Sequence, residues 1–284
     1  MDEAIKKADV LIEALPYIKE FRKRVVVIKY GGSILGEETI RKGVLEDIVF
    51  LSFMGIKAVL VHGGGPNISD KLRKLGKKSE FMDGMRVTDA QTLCVVEEEL
   101  SELNKLIVDE IEHIGGTAVG MSGKDHGLIK AKKIASKVDM GFVGVVTGVN
   151  SEHMLKELKG SSIAVISPMG IDDRGVVYNI NADEAAAYIA KVMEAEKFVL
   201  LTNVRGVMRN PDDPDSLIGS LRLEDIKTLI EEKIIQSGMI PKVRACINAL
   251  NGGVKKTHII DARIPHALLL EIFTDKGIGT EIVK

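Results

Sequence analysis

The sequence predicts an α/β fold built on a mostly parallel sheet with helices on both faces. Three observations carry this reading. Apolar runs such as VVVI (25–28) and AVLV (58–61) are continuous rather than alternating, the pattern of strands buried on both sides. Segments of helical periodicity separate them. Both of these runs close in glycines, Gly31-Gly32 and Gly63-Gly64-Gly65, where a parallel strand hands over to a helix.

Taken in order, residues 3–21 place Ile5, Ala8, Leu11, Ile12, Leu15, Ile18 and Phe21 at helical spacing, an amphipathic helix that Pro16 should kink. A strand at Val25–Tyr30 and a helix at Glu37–Phe53 follow, then a strand at Ala58–Val61 and a helix at Asn67–Leu75. Asp89–Ile114 reads as one long helix, and 117–149 as a glycine-rich section of strands. A helix from Glu152, the strand Ile163–Ser167, the alanine-rich helix Ala182–Glu196 and the strand Phe198–Thr202 come next. Helices are expected near Leu223–Gln236 and Pro241–Asn251, then the strand His258–Ile260, a helix from Pro265 and a last strand at Glu281–Val283. No repeat of 20–50 residues and no low-complexity linker occurs, so any lobes must share one continuous sheet.

The 284 residues suffice for a large core, and an apolar share of 45% is ordinary for a globular protein. Lys and Arg number 39 against 41 Asp and Glu, a net charge of −2, so no electrostatic footprint for nucleic acid exists. Cys94 and Cys246 stand alone, which argues against a disulfide framework or a zinc site. No apolar run approaches the roughly 20 residues that span a bilayer. The N-terminus has no secretory pattern, so a cytoplasmic protein without membrane or nucleic-acid partners is expected.

The glycine turns raise a chemical question, because Lys29 sits at the tip of the first apolar run. Glycines let the backbone approach a phosphate, and the following helix supplies N–H donors. Neither turn is a Walker loop or a dinucleotide fingerprint, which removes the reading as a nicotinamide-dependent dehydrogenase. Arg86 lies in DGMRVTD between hairpin residues and a helix cap. Asn179, Asn181 and Asp183 open the alanine-rich helix, and Lys242 follows Pro241 at another helix start. Each also has an ordinary reading: surface charge for Arg86, N-cap for Asn181, first-turn acid for Asp183, solvated amine for Lys242. Together they suit phosphoryl transfer, in which cations neutralise the migrating group. No general base stands out. A carboxylate acceptor, with a pKa of about 4, needs none, so the chemistry points to an acyl phosphate.

The motifs KYGGSIL, VHGGGPNIS, GMRVTD, AVGMSGKD, YNINADEAAA, LLTNVRGVM, GMIPKV and HALLLEIFTDKGIGTEIV resemble the amino acid kinase superfamily and, within it, the acetylglutamate kinases. The resemblance covers nearly the whole chain. It implies a three-layer αβα sandwich around a largely parallel central sheet, with 1–22 an oligomerisation helix, 23–194 an acetylglutamate-binding and dimerisation lobe, and 195–284 an ATP-binding lobe. It implies ATP-dependent phosphorylation of the side-chain carboxylate of N-acetyl-L-glutamate. By motif, Lys29 and Lys242 are catalytic with Asp183 as their organiser, and Gly31 and Gly32 bind phosphate. Gly64, Gly65, Arg86, Asn179 and Asn181 bind substrate, and Thr202, Asn203 and Val207 belong to the nucleotide pocket. Mg2+ would be held mainly by the ATP phosphates, with no protein metal site. Two positions depart from the family: Asn203 replaces the Asp of LLTDV, and Ser237 replaces the first glycine before MIPK.

Both termini resemble the arginine-sensitive hexameric branch. There, N-terminal helices interlace dimers into a trimer of dimers, and arginine sits between that helix and the C-terminal lobe. His266, Glu271, Gly277 and Gly279 would then lie at or near the effector site, with a PII-type signalling protein as a further partner. Two alternatives share parts of the pattern. A carrier-protein-linked aminoadipate kinase has the lysines and glycine turns but no need of an effector tail. A catalytically silent arginine sensor would show degraded lysines, whereas Lys29, Asp183 and Lys242 are all present.

Overall fold

The computed structural model describes Ile5, Asp9, residues 12–274 and residues 277–284. The positions Ala8 and Leu11 of the expected first helix lie outside the described residues. The helices are α1 (Leu15–Phe21), α2 (Gly32–Leu35), α3 (Glu38–Phe53), α4 (Gly65–Lys74), α5 (Ala90–His113), α6 (Ser151–Glu157), α7 (Ala182–Val192), α8 (Ile226–Glu231), α9 (Met239–Asn251) and α10 (Ala267–Phe273). The strands are β1 (Val25–Tyr30), β2 (Lys57–His62), β3 (Phe81–Met82), β4 (Met85–Arg86), β5 (Thr117–Ser122), β6 (Ile129–Lys133), β7 (Val143–Val149), β8 (Ser162–Ser167), β9 (Met169–Ile171), β10 (Val177–Ile180), β11 (Lys197–Thr202), β12 (Ser220–Arg222), β13 (Lys256–Asp261) and β14 (Thr280–Val283).

Eight strands form the central sheet in the order β12-β14-β13-β11-β1-β2-β8-β5. All neighbours are parallel except β13 and β14. Alternation along β1 shows why its run of branched residues is apolar throughout. Val25 and Val27 face a core built with α7, α8 and α9, whereas Val26, Ile28 and Tyr30 face one built with α3, α5 and α10. The expected αβα layering is therefore observed. Among the described residues, no helix is long and apolar enough to cross a membrane.

Three features differ from the sequence reading. The chain does not confine itself to one sheet: β6, β7, β9 and β10 close a small four-stranded barrel, and β3 and β4 form a separate hairpin. The expected helix over 182–196 ends at Val192, since Glu194 has φ of 48° and Lys197 already belongs to β11. The helix expected over 223–236 shortens to a 3₁₀ turn followed by α8. At Pro16, where a kink is expected, the proline sits in the first turn of α1, and Ala14 just before that helix keeps helical dihedrals (φ −73°, ψ −17°).

Candidate active site

Period-two alternation puts Lys29 on the same face of β1 as Val25 and Val27, beneath α7 and α9. That placement answers why a lysine ends a buried strand. The first turn of α7 delivers Asp183, and the first turn of α9 delivers Lys242. Lys29 Nζ stands 2.8 Å from Asp183 Oδ1, and Lys242 Nζ stands 3.9 Å from Oδ2. Lys29 is only 8% exposed and Asp183 only 7%, so the carboxylate bridges two ammonium groups largely out of water. Burial pushes the Asp183 carboxyl up, yet the charges of Lys29 and Lys242 outweigh it and hold the carboxyl below the usual range. Burial lowers Lys242, with Asp183 opposing and Lys29 reinforcing that shift. Asn181 caps α7 by accepting from the N–H groups of Asp183 and Glu184 at 2.9 and 3.2 Å, so its side-chain oxygen is committed to the helix.

The two glycine turns touch. A Cβ on Gly32 would lie 3.0 Å from the nitrogen of Gly65 and 3.1 Å from that of Gly64. Only glycine admits this approach, and it gathers backbone amides beside Lys29. The Gly31 N–H, expected among the phosphate donors, here donates to Leu201 O at 3.1 Å. Its role is to join the first glycine turn to the end of β11.

These groups line a cavity of about 270 Å³ with Lys29, Gly32, Gly64, Gly65, Asn179, Asn181 and Asp183 in one wall or another. Arg86, on β4, closes the far side. Its guanidinium donates to Gly65 O at 2.9 Å, to Ser69 Oγ at 2.7 Å and to Ser79 Oγ at 2.5 Å, and it stacks 4.6 Å from the centre of the Phe81 ring. Burial lowers its pKa, and among the described residues no carboxylate pairs with it. Asn179 donates to Thr88 Oγ1 at 3.1 Å, and Thr88 in turn donates to Arg86 O at 2.7 Å. Ser69, Ser79, Thr88 and Phe81 were not legible as site residues, because each is an ordinary turn, cap or strand residue in sequence.

Thr202, Asn203 and Val207 do not line this cavity but extend from the end of β11, next to the Leu201 carbonyl that Gly31 meets. The Thr202 hydroxyl is engaged with the carbonyls of Val204 and Ile260, and the Val207 N–H donates to Thr280 Oγ1. Asn203 is exposed. Among the described residues, no group of three or more His, Cys, Asp or Glu is arranged to hold a metal ion.

A second cavity of about 730 Å³ opens between α1 and the C-terminal segment. Tyr17, Glu20 and Phe21 face Lys197, His258 and Glu271 across it, with Gly277 at its edge. Glu271 accepts from the N–H groups of Ile278 and Gly279 at 2.7 and 3.3 Å and lies 2.6 Å from His258 Nδ1. Lys197 lies over the Phe21 ring at 4.9 Å. Glu271, Gly277 and Gly279 are thus brought together as expected. His266 is not with them: it precedes α10 with φ of 55° and meets Asp47 of α3 at 2.7 Å. Lys197 and His258 escaped notice because both belong to strands.

The fold and the lysine–aspartate bridge define a class, and the chain belongs to the amino acid kinase family, matched over residues 24–261. Its relatives narrow this further. It is 49% identical to the acetylglutamate kinase of Heliobacterium modesticaldum, with 100% of both chains covered. It is 50% identical to the acetylglutamate kinase of Caldanaerobacter subterraneus subsp. tengcongensis, covering 99% of this chain and 95% of that one. Among solved structures it superposes on the N-acetylglutamate synthase of Neisseria gonorrhoeae complexed with coenzyme A and N-acetyl-glutamate, with a TM-score of 0.86 and 27% identity. That match covers 98% of this chain and 63% of the synthase, so the chain spans less than two thirds of that protein. Carbamate kinase from Giardia lamblia bound to AMP-PNP shares the fold, with a TM-score of 0.66, 19% identity and coverage of 92% and 98%.

Proposed function

We propose that this protein transfers the γ-phosphoryl group of ATP to the side-chain carboxylate of N-acetyl-L-glutamate, forming N-acetylglutamyl 5-phosphate for arginine biosynthesis. The observation that carries this is a cavity with Lys29 and Asp183 in its wall, Lys242 reaching Asp183 from α9, and Arg86 on the opposite side with no carboxylate partner among the described residues. A substrate carboxylate oxygen attacks the γ-phosphorus. The new O–P bond forms as the bond to the β–γ bridging oxygen breaks, and ADP leaves with that electron pair. Lys29 and Lys242 neutralise the equatorial oxygens, and the N–H groups of Gly32, Gly64 and Gly65 receive developing negative charge. Arg86 holds the α-carboxylate and Asn179 faces the acetamido group. Asn181 acts by setting the start of α7, and so the place of Asp183. The attacking carboxylate is already ionised, so no proton has to be removed.

The segment 202–207 borders the nucleotide, and Mg2+ arrives on the ATP phosphates, since Asp183 is already neutralised by two lysines. In this reading 23–194 is the substrate and dimer lobe and 195–284 the nucleotide lobe, the two sharing the β1–β11 pair. The test is ATP-dependent hydroxamate formation with N-acetylglutamate, glutamate and aspartate compared. Equal rates on unacetylated glutamate would overturn the substrate assignment.

We further propose that arginine binds the second cavity and inhibits the enzyme. Supporting this, Glu20, Glu271 and Glu281 suit a guanidinium while Lys197, Lys255 and Lys256 suit a carboxylate. A synthase structure from N. gonorrhoeae complexed with L-arginine superposes on the chain with a TM-score of 0.83 at 27% identity. Residues 1–22 then link dimers into a hexamer, a trimer of dimers, and a PII-type protein is a further partner to be tested by co-purification. Rates unchanged at saturating arginine would sink the effector reading. A hexamer that survives deletion of residues 1–21, read by light scattering, would sink the role of the helix.

A further inference from the structure

His62 ends β2 immediately before the second glycine turn, and it is fully buried. Its surroundings leave no freedom in where its proton sits. Asn104, on α5, places its side-chain nitrogen 3.0 Å from Val165 O and 3.1 Å from His62 Nε2. A carbonyl only accepts, so the atom facing Val165 is the amide nitrogen. Its second hydrogen therefore points to Nε2, which must be the unprotonated nitrogen. At the other end of the ring, Nδ1 lies 3.2 Å from Gly63 O, again an acceptor only. The proton is on Nδ1. Burial holds the imidazole down at about 4, which keeps it neutral through the physiological range. The opposing strand is shaped for the amide, since a Cβ at Gly120 would overlap Asn104 Oδ1.

The consequence lies one peptide further on. In a trans peptide the C=O of Gly63 and the N–H of Gly64 point in opposite directions. Drawing the carbonyl onto His62 turns the Gly64 N–H the opposite way, and the Gly64 nitrogen stands 3.1 Å from where a Cβ on Gly32 would lie, with both glycines lining the cavity. That N–H has no backbone or side-chain acceptor among the described residues. We propose that Asn104 and His62 are positioning residues that lock the Gly63–Gly64 peptide and thereby aim the Gly64 N–H at the anion held between the two glycine turns. This rests on the kinase reading of the cavity. The relay itself does not.

Two measurements separate the two. In full-length protein labelled with ¹⁵N-histidine, two-bond ¹H–¹⁵N correlations should report His62 as the Nδ1–H tautomer without any substrate. Finding the Nε2–H tautomer overturns the proposal, whatever the enzyme's substrate. In the hydroxamate assay, Asn104→Leu should lower kcat about 10- to 100-fold, by analogy with a mis-aimed oxyanion donor, while KM for ATP changes less than about threefold. His62→Asn keeps an amide N–H where Nδ1 stood and should retain far more activity than His62→Leu. Folding of each variant is checked by thermal melting. Equal losses in His62→Asn and His62→Leu, or an unaltered kcat in a folded Asn104→Leu protein, refute the relay. A native protein that forms no hydroxamate refutes the kinase reading instead and leaves the tautomer test decisive.

Discussion

Replacing Asp183 by asparagine is the sharpest perturbation of this site, because it keeps shape and removes the one charge between two ammonium groups. At 2.8 and 3.9 Å, Coulomb's law with an effective dielectric of about 20 gives roughly 6 and 4 kcal/mol of gross attraction to Lys29 and Lys242. Desolvation has already cancelled much of that sum, so the net loss on breaking such a buried pair is about 3–5 kcal/mol. For a chain of this size the melting temperature should fall by about 6–15 °C. In the rate, the two lysines lose their fixed separation, and kcat should fall about 10²- to 10³-fold. The pH response has a definite sign. The folded Asp183 carboxyl titrates below its unfolded value, so its contribution is fully present above about pH 4 and is lost as pH falls through the folded value. The variant should lack that part of the acid limb. Lys242, already lowered by burial, loses its carboxylate and should be lowered further, which moves the alkaline limb of kcat to lower pH. Calorimetry and pH-resolved hydroxamate rates check all three. A variant that melts at the native temperature and turns over within about threefold of the native rate would refute the bridge as the organiser of the site.

Other expectations follow from single distances or angles. Gly32→Ala would set a methyl 3.0–3.1 Å from two backbone nitrogens that have no flexible tip to yield, so kcat/KM should fall at least about 100-fold while stability changes by less than about 2 kcal/mol; a variant retaining a third of native activity would put the anion elsewhere. Ser237 has φ of 45°, where glycine is favoured, so Ser237→Gly should raise the unfolding free energy by about 0.5–1 kcal/mol after the entropy of glycine is subtracted; a lower denaturation midpoint would show that the serine side chain contributes more than its strain costs. The Asp47 hydrogen bond raises the pKa of His266, so its contribution is present below about pH 6.5 and lost as pH rises through the raised value. With the His266 side chain 58% exposed the gain is under about 1 kcal/mol, and burial raises the pKa of Asp47 in spite of the pairing. Melting between pH 6 and 8 should show a small decline that His266→Gln abolishes.

The layered sheet was legible because continuous apolar strands and periodic helices are each a property of one segment. So were Lys29, Asp183 and Lys242, since a lysine at the tip of a buried strand and two charged residues at helix starts stand out without any knowledge of the partner. The small barrel was not legible. Its strands β9 and β10 are three and four residues long and find partners in β6 and β7 across long stretches of chain. The same limit applies to Lys197, which reads as the first residue of a strand until α1 is folded against it. His266 shows the converse limit. Five residues from Glu271, it invites assignment to one site, but it has a left-handed backbone and meets Asp47, whereas Glu271 meets His258.

Hydrogen-bond direction is the deeper boundary, and the glycine turns show where it falls. Sequence placed Gly31, Gly32, Gly64 and Gly65 together as backbone donors, because glycine in such turns permits close approach. Permission is not direction. The Gly31 N–H donates to Leu201 O, whereas that of Gly64 meets no acceptor among the described residues and follows a carbonyl that His62 holds. What holds it is a histidine whose single proton is located by two carbonyls, Val165 at one end of the relay and Gly63 at the other. Val165 and Gly63 are 102 positions apart, as their numbers show, and Asn104 comes from a third element, so no local pattern encodes the arrangement. The histidine that closes the second apolar run is thus the counterpart of Lys29 at the end of the first: one strand tip brings a charge to the anion, and the other fixes the direction of a dipole.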